Sequence, residues 1–199
     1  QPSTKSHSER PRVLVLHGLR VDSRQTTVDY VAAFLGSTRG VDLTVANVFG
    51  FMPEWLGDVE FDLAVVTTEA LSHRTTPFWP SLEKRIVRAM KSARRKVLMP
   101  QDDYTDSAKL DRLAVEAGVN TIYSPLIHGL ELIYPRASAK GVEFVEALTG
   151  YFEQEKVSVR SQLSLPFRDR PIDIGQRVRK LPPQFGEIGI RKYEIADVL

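Results

Sequence analysis

Short apolar runs alternate along this chain with longer stretches in which apolar residues recur every three or four positions. Residues 13–16 form an uninterrupted apolar run between Pro11 and Gly18. Such a run is typical of a strand that is buried on both faces of a parallel sheet. Similar runs recur over the first three quarters of the chain, and they predict strands at residues 13–16, 43–46, 61–66, 96–99, 121–123 and 142–145.

The intervals between these runs carry the 3.6-residue period of amphipathic helices. We predict one helix over about 80–93 and another over 107–117, which Gly118 would end as a left-handed cap. A first helix is predicted to begin at Asp22 or Ser23 and to end at Gly36 or Gly40, with an apolar stripe at Val28, Val31, Ala32 and Leu35.

Strands that alternate with helices at this spacing indicate the α/β class. We predict a doubly wound, mainly parallel, Rossmann-like sheet with helices on both faces, formed by residues 11–165. Residues 1–10 are polar and are expected to be a disordered lead-in. Residues 166–199 are expected to be a linker and a helix that lead to a second domain outside this chain.

The pattern changes after about residue 154. Residues 154–163 favour a helix, residues 172–178 favour a strand or an extended linker, and residues 187–199 read as a helix that ends on apolar residues without a cap. This ending suggests that the chain is part of a larger protein.

The composition excludes several classes of chemistry. The chain has 199 residues, is 42% hydrophobic and contains no cysteine, so disulfides, thiolate catalysis and zinc–thiolate sites are excluded. No apolar run approaches the roughly 20 residues that a membrane span needs. We therefore expect a cytoplasmic protein with no membrane span.

The formal net charge is only +2, and the densest basic cluster is residues 91–96. We interpret this cluster as the solvated last turn of a helix, where cations suit the helix dipole. No aromatic residues interleave with it to stack on bases, so we predict no nucleic-acid partner.

In a doubly wound sheet, ligands bind beyond the carboxyl ends of the strands. After the first predicted strand, Gly18 allows a tight turn, and His17 and Arg20 are candidates for a proton donor and an anion clamp. Alternatively, His17 only hydrogen-bonds a neighbouring loop. Neither a G-x-G-x-x-G fingerprint nor a phosphate-binding P-loop is present.

The loop after the fourth predicted strand concentrates polar groups. Adjacent like charges there can raise the pKa of one carboxyl and produce a general acid or base. Alternatively, these residues only begin the turn into the next helix, with Thr105 or Asp106 as its N-cap. The loop contains Gln101, Asp102, Asp103 and Tyr104.

A third loop, after the third predicted strand, brings Glu69, His73 and Arg74 to the same edge, although their spacing also fits ordinary loop residues. It matches no metal-ligand pattern, and no G-x-S-x-G nucleophile turn is present. We predict no metal and no cofactor. The sequence assigns catalysis to His17, Asp102 and Asp103, and substrate binding to Gly18, Arg20, Glu69, Gln101 and Tyr104.

Several segments together resemble the bacterial family 1-type glycosyltransferases related to the spore-maturation CgeB-like group. Residues 101–104 correspond to a Gln-Asp-Glu-Tyr motif of that family. The likeness continues through residues 118–123 and 148–151, the Arg-Pro-Ile-Asp-Ile-Gly stretch from Arg170, the Leu-Pro-Pro and Gly186 after it, and Lys192.

The resemblance implies a two-domain enzyme of the GT-B type, in which paired Rossmann-like domains face each other across a cleft. This chain would be the N-terminal, acceptor-side domain. The absent second domain would make most contacts with the nucleotide-sugar donor, and the acceptor is unknown. His17, Asp102 and Asp103 would receive or orient the proton of the acceptor hydroxyl.

Two other functions stay open. A non-catalytic module would use exposed aromatic residues in 49–55 and 78–80 to bind a carbohydrate or a protein partner, unless these residues pack under loops. A receiver-type signalling domain is disfavoured, because such domains carry acidic residues after the first strand and an aspartate after the third. This chain has His17-Gly18 and Thr67-Thr68 there.

Overall fold

A computed structural model describes residues 10–148, 150, 165–171 and 186–195. The chain divides into two compact units, Gln1–Gly150 and Tyr151–Leu199. The sheet lies in the first unit.

Two of the predicted segments, the helix at 154–163 and the extended stretch at 172–178, lie outside the described residues. The predicted domain boundaries near residues 10 and 165 stay predictions. In the second unit, the described residues include one helix, which occupies part of the predicted helical stretch after residue 186.

Within the described residues, six strands form one sheet in which all neighbouring pairs are parallel. The order across the sheet is β2-β1-β3-β4-β5-β6. The predicted fold class is confirmed, since each predicted apolar run lies wholly or largely in a strand. The strands are β1 Arg12–His17, β2 Asp42–Asn47, β3 Phe61–Val66, β4 Ala93–Leu98, β5 Thr121–Ser124 and β6 Glu143–Glu146.

Helices connect most of the strands. The crossover from β1 to β2 and the crossover from β3 to β4 run in opposite directions across the sheet. Right-handed crossovers therefore place the first helix on one face and the later helices on the other. The helices are α1 Gln25–Ser37, α2 Thr68–Ser72, α3 Trp79–Ala89, α4 Ser107–Ala117, α5 Leu130–Ile133 and α6 Pro135–Ala139, with α7 Gly186–Glu194 in the second unit.

An apolar core lies between the sheet and the helices α3 and α4. Alternate strand residues point into it because successive side chains of a strand face opposite sides of the sheet. Leu14 and Leu16 enter it from β1, while Ile86 and Leu110 enter it from the helices. All four side chains are fully buried.

The start of α1 differs from the prediction. The helix begins at Gln25, and its N-cap position is Arg24 rather than Asp22 or Ser23. The Ser23 hydroxyl instead accepts a hydrogen bond from the Arg20 backbone N–H at 2.8 Å. The polar residues that suggested a cap thus close a turn in the loop before the helix. The predicted end of α4 is confirmed, with Gly118 at φ +67° as the cap residue.

The basic cluster at 91–96 is not the last turn of a helix, so that prediction was wrong. Helix α3 ends at Ala89, and β4 already begins at Ala93. Arg94 lies beside Asp62 of the neighbouring strand, with 3.3 Å between its guanidinium and the carboxylate. The cations are accommodated because β4 starts at the exposed amino-terminal edge of the sheet, next to acidic residues.

Candidate functional site

The strand order reverses between β1 and β3. From β1 the chain crosses to β2 on one side, whereas β3 and the later strands lie on the other. The loops that leave β1 and β3 therefore diverge and open a crevice beyond the carboxyl ends of the two strands, where doubly wound proteins bind ligands. His17 is the last residue of β1 and Thr67 follows the last residue of β3.

The His17 imidazole folds back onto its own loop. Its Nδ1 accepts a hydrogen bond from the Leu19 backbone N–H at 3.2 Å. An Nδ1 that accepts a hydrogen bond carries no proton, so neutral His17 holds its proton on Nε2. Burial lowers the pKa of His17 from its ordinary value, which favours this neutral form.

His73 reaches the same loop from the turn after α2. Its Nε2 lies 3.3 Å from the Gly18 carbonyl oxygen. The ring of Phe49 meets the His73 ring edge-to-face at a centroid distance of 4.5 Å. The Arg20 guanidinium lies 5.7 Å from the centre of the Phe49 ring. Side chains from three strand-end loops thus form one layer at this edge of the sheet.

A cavity of about 430 Å³ opens beside this layer, between residues 19–22 and residues 47–50. Arg20 lines it and also pairs with Asp22 at 3.1 Å. The Asn47 amide joins the two loops that line the cavity, since its Nδ2 donates to the Leu19 carbonyl at 2.6 Å and its Oδ1 accepts from the Phe49 N–H. The lining of the cavity contains one cation, one carboxylate, an aromatic ring and backbone groups, contributed by Arg20, Asp22, Phe49 and their neighbours. Neither His17 nor His73 lines the cavity, but each contacts a residue that does, His17 through Leu19 and His73 through Phe49. We call the cavity together with these two histidines the switch-point groove.

Gly18 has a packing reason to be glycine. A Cβ atom at this position would lie 2.7 Å from the Cα of Ala70 and 2.9 Å from the Glu69 carbonyl oxygen. Real Cβ atoms do not approach backbone so closely. Helix α2 therefore packs directly against the loop that carries His17.

Glu69 lies in the first turn of α2 and is only 5% exposed. Burial raises the pKa of its carboxyl, although the Thr67 hydroxyl and the backbone N–H of Glu69 oppose the shift. Burial raises the pKa of Tyr30 on α1, and the charge of Glu69 adds to that shift. A buried carboxyl in this position suits a structural role or a protonated hydrogen-bond donor better than a free anion contact.

The two aspartates after β4 point in different directions. Asp102 is exposed, adopts a left-handed backbone conformation with φ +55°, and accepts a hydrogen bond from the Tyr104 hydroxyl at 3.3 Å. Asp103 is fully buried, and its Oδ1 accepts a hydrogen bond from the buried Tyr134 hydroxyl. Gln101 and Tyr104 are exposed beside Asp102.

The pKa of the Asp103 carboxyl is raised, and the cause is burial. The sequence suggested repulsion from Asp102 instead. Hydrogen bonds from Tyr134 and Ser124 oppose the shift, as does the charge of Arg74. Asp106, not Thr105, occupies the N-cap position of α4, although its side chain makes no capping hydrogen bond.

Arg74 does not line the crevice as its position in the sequence suggested. It is 2% exposed, and its guanidinium donates to four backbone carbonyls. One belongs to Leu71 and the others to the loop after β4. This buried cation holds that loop in place through neutral acceptors. The four acceptors are Leu71 at 3.0 Å, Gln101 at 3.0 Å, Asp102 at 2.6 Å and Thr105 at 2.7 Å.

The predicted site residues fall into two groups at the carboxyl edge of the sheet. His17, Gly18 and Arg20 belong to the switch-point groove. Gln101, Asp102 and Tyr104 lie beyond β4, two strand spacings of about 4.8 Å away from β1, or roughly 10 Å. Glu69 and Asp103 lie on the same edge but are buried.

Sequence reasoning missed Tyr134 and Asn47 as parts of this edge. Tyr134 precedes Pro135 in an apolar segment, and nothing in the sequence pairs it with a carboxylate 31 positions earlier. Asn47 carried a detectable signal, because it is a polar residue directly after an apolar run.

The two tryptophans differ in exposure. Trp55 is 61% exposed, whereas Trp79 is 1% exposed and belongs to the core. Phe51 and Phe78 are also exposed. The predicted aromatic surface therefore includes Trp55 but excludes Trp79.

Among the described residues, no group of three or more His, Asp or Glu side chains is arranged to hold a metal ion. No helix in this described part of the chain is long and apolar enough to cross a membrane.

No protein-family model matches the sequence, and no curated protein matches it either. One solved structure with a similar fold is the signal receiver domain of an HD domain-containing protein from Pseudomonas fluorescens Pf-5. It shares 16% sequence identity with a TM-score of 0.38, over 70% of this chain and 97% of that chain. We draw no conclusion from a likeness at this level. The strand order and parallel pairing themselves show a Rossmann-like, flavodoxin-like α/β domain.

Proposed function

We propose that this chain is the acceptor-side domain of a GT-B-type glycosyltransferase, and that the switch-point groove binds the acceptor. The observation that carries the proposal is the half-buried His17 at the end of β1, whose Nδ1 accepts a hydrogen bond from Leu19 next to a cavity of about 430 Å³. A cavity of that size suits a small ligand such as a sugar unit. Two segments, residues 101–104 and the stretch that begins at Arg170, resemble family 1-type glycosyltransferases, and this resemblance supports the same proposal.

Sugar transfer needs groups that orient the acceptor hydroxyl and groups that stabilise charge on the departing diphosphate. The Nε2–H of His17 is a hydrogen-bond donor because its Nδ1 is taken by the Leu19 N–H. We assign His17 the orientation of an acceptor or phosphate oxygen. Arg20 is a weaker candidate for an anion contact, because Asp22 already pairs with it.

In the loop after β4, we assign the exposed carboxylate of Asp102 to hydrogen bonds with sugar hydroxyls. Gln101 and Tyr104 lie beside it and are assigned to the same ligand. Asp103 is less suited to touch a ligand, because it is buried and bound to Tyr134.

The test measures nucleoside diphosphate release from a panel of nucleotide sugars by the intact protein that carries this chain. We expect His17→Ala and Asp102→Asn to lower kcat/KM by about 100-fold or more, since each removes an interaction made in the transition state. His17→Gln places an N–H near the position of Nε2 and should retain more activity than His17→Ala.

The matched control is Asp42→Asn, an exposed carboxylate at the amino-terminal end of β2, on the opposite edge of the sheet. It should leave turnover unchanged. Unchanged turnover in both His17→Ala and Asp102→Asn would reject these assignments. Sugar binding without any transfer would favour the second candidate, a non-catalytic carbohydrate-binding module, for which the exposed Trp55 is the supporting observation.

A further inference from the structure

Two histidines form hydrogen bonds with the peptide group that joins Gly18 and Leu19, one with its carbonyl and the other with its N–H. His73 Nε2 lies 3.3 Å from the Gly18 carbonyl oxygen, and His17 Nδ1 lies 3.2 Å from the Leu19 amide nitrogen. The carbonyl and the N–H belong to the same peptide bond, which is trans. They point in opposite directions within the peptide plane, so the two imidazoles contact opposite edges of the same peptide group.

These bonds determine where each neutral imidazole keeps its proton. A carbonyl oxygen can only accept, so His73 Nε2 must carry a proton. A backbone N–H can only donate, so His17 Nδ1 must be unprotonated. Both rings are therefore Nε2–H tautomers when neutral, and the basic nitrogen of each is Nδ1.

The two basic nitrogens differ in availability. The Nδ1 of His17 is occupied by the Leu19 N–H. No described residue donates a hydrogen bond to the Nδ1 of His73. His73 can therefore take a proton and keep its bond to Gly18, whereas His17 would have to break its bond to Leu19 first.

Burial, rather than the surrounding charges, is the main influence on the pKa of His73. Burial lowers its pKa from the ordinary value, and Arg20 lowers it further. The Gly18 carbonyl and Asp22 oppose that shift. Phe49 meets the ring at its edge and brings no charge.

We propose that His73 is the base that accepts the proton of the acceptor hydroxyl, an assignment that rests on the transferase function proposed above. The acceptor oxygen forms a bond to C1 of the donor sugar while the bond from C1 to the phosphate oxygen breaks. The electron pair of that bond leaves with the diphosphate. The hydroxyl proton passes to His73 Nδ1 and then to water, while His17 acts only as a donor.

The kinetic test uses the intact protein with whichever nucleotide sugar it turns over. The His73→Gln side chain places an N–H near the position of Nε2, so the Gly18 contact can persist, but it has no basic nitrogen. We expect kcat to fall by about 100-fold or more, because general-base catalysis contributes that much. We also expect the loss of activity on the acidic side of the pH–rate profile to disappear.

His17→Asn serves as the matched control on the other side of the same peptide. Its rate should fall, but its acidic limb should remain, because His73 is still present. A His73→Gln enzyme with normal turnover and a normal acidic limb would overturn the assignment.

A second measurement on this chain does not depend on transfer. The ¹⁵N chemical shifts of the imidazole nitrogens, followed from pH 8 to pH 4.5, report which ring is protonated and at which nitrogen. We expect His73 to gain a proton on Nδ1 at a higher pH than His17 does. If His17 protonates first, or if His73 carries its proton on Nδ1 at neutral pH, the inference is wrong even when transfer is observed.

Absence of transfer with every nucleotide sugar would instead reject the proposed function. The ¹⁵N titration would then still decide which of the two histidines gains a proton first and at which nitrogen.

Discussion

At the scale of single residues, the close packing around Gly18 leaves no space for a side chain at this position. A methyl group there would press on the backbone of Ala70 and Glu69. We predict that Gly18→Ala lowers the free energy of unfolding by about 1–3 kcal/mol, the usual cost of forced overpacking. Urea-induced unfolding measures the change.

Gly36 provides the matched control for that substitution. It lies inside α1, and nothing lies within 4 Å of the position that its Cβ would take. Gly36→Ala should raise stability by up to about 1 kcal/mol, because alanine has the higher helix propensity. Equal effects of the two substitutions would contradict the packing argument.

At the scale of elements, one side chain joins two helices. Asp111 of α4 accepts hydrogen bonds from the backbone N–H groups of Arg136 at 3.2 Å and Ala137 at 2.8 Å, at the start of α6. We predict that Asp111→Ala costs about 1–2 kcal/mol, because buried amides lose their acceptor. Chemical denaturation checks the value.

Glu116→Ala on the same helix is the comparison. Glu116 is exposed and lies 3.9 Å from Arg112, so its removal should cost about 0.5 kcal/mol or less. If Asp111→Ala and Glu116→Ala have similar costs, Asp111 does not anchor α6.

At the scale of the whole molecule, buried carboxyls shape the pH dependence of stability. Burial raises the pKa of both Glu69 and Asp103 above the values of the unfolded chain. Between the unfolded and folded pKa values the native state binds more protons, so their contribution to stability rises as the pH falls. We predict that wild type gains stability relative to Glu69→Gln and to Asp103→Asn between about pH 8 and pH 4.5.

The comparison with each amide variant isolates these groups, because every other titrating side chain is common to both proteins. His17 and His73, whose pKa values are lowered, act in the opposite direction below their ordinary value of 6.5. Unfolding in urea at three pH values is sufficient. A stability difference that is independent of pH would show that the carboxyls are ionised throughout.

The local pattern alone was sufficient for most of the α/β framework. A run of apolar residues between Pro11 and Gly18 is sufficient to predict β1, and Gly118 is sufficient to predict the end of α4. Both signals are local, because they depend on residues only a few positions apart. Helices α2, α5 and α6 escaped prediction because four or five residues are too few to display a 3.6-residue period.

The residues at the carboxyl edge of the sheet could also be predicted in part, because all strands are parallel and the loops that follow them therefore lie at the same edge. The sequence therefore placed His17 and residues 101–104 on the same edge. Only the tertiary structure decided that the buried Asp103 accepts a hydrogen bond from Tyr134 and that Arg74 donates to backbone carbonyls of the loop after β4. It also decided that the two histidines contact the same peptide group. Apart from the local bond between His17 and Leu19, these outcomes depend on contacts between residues 27 to 55 positions apart. Sequence periodicity carries no information about such contacts.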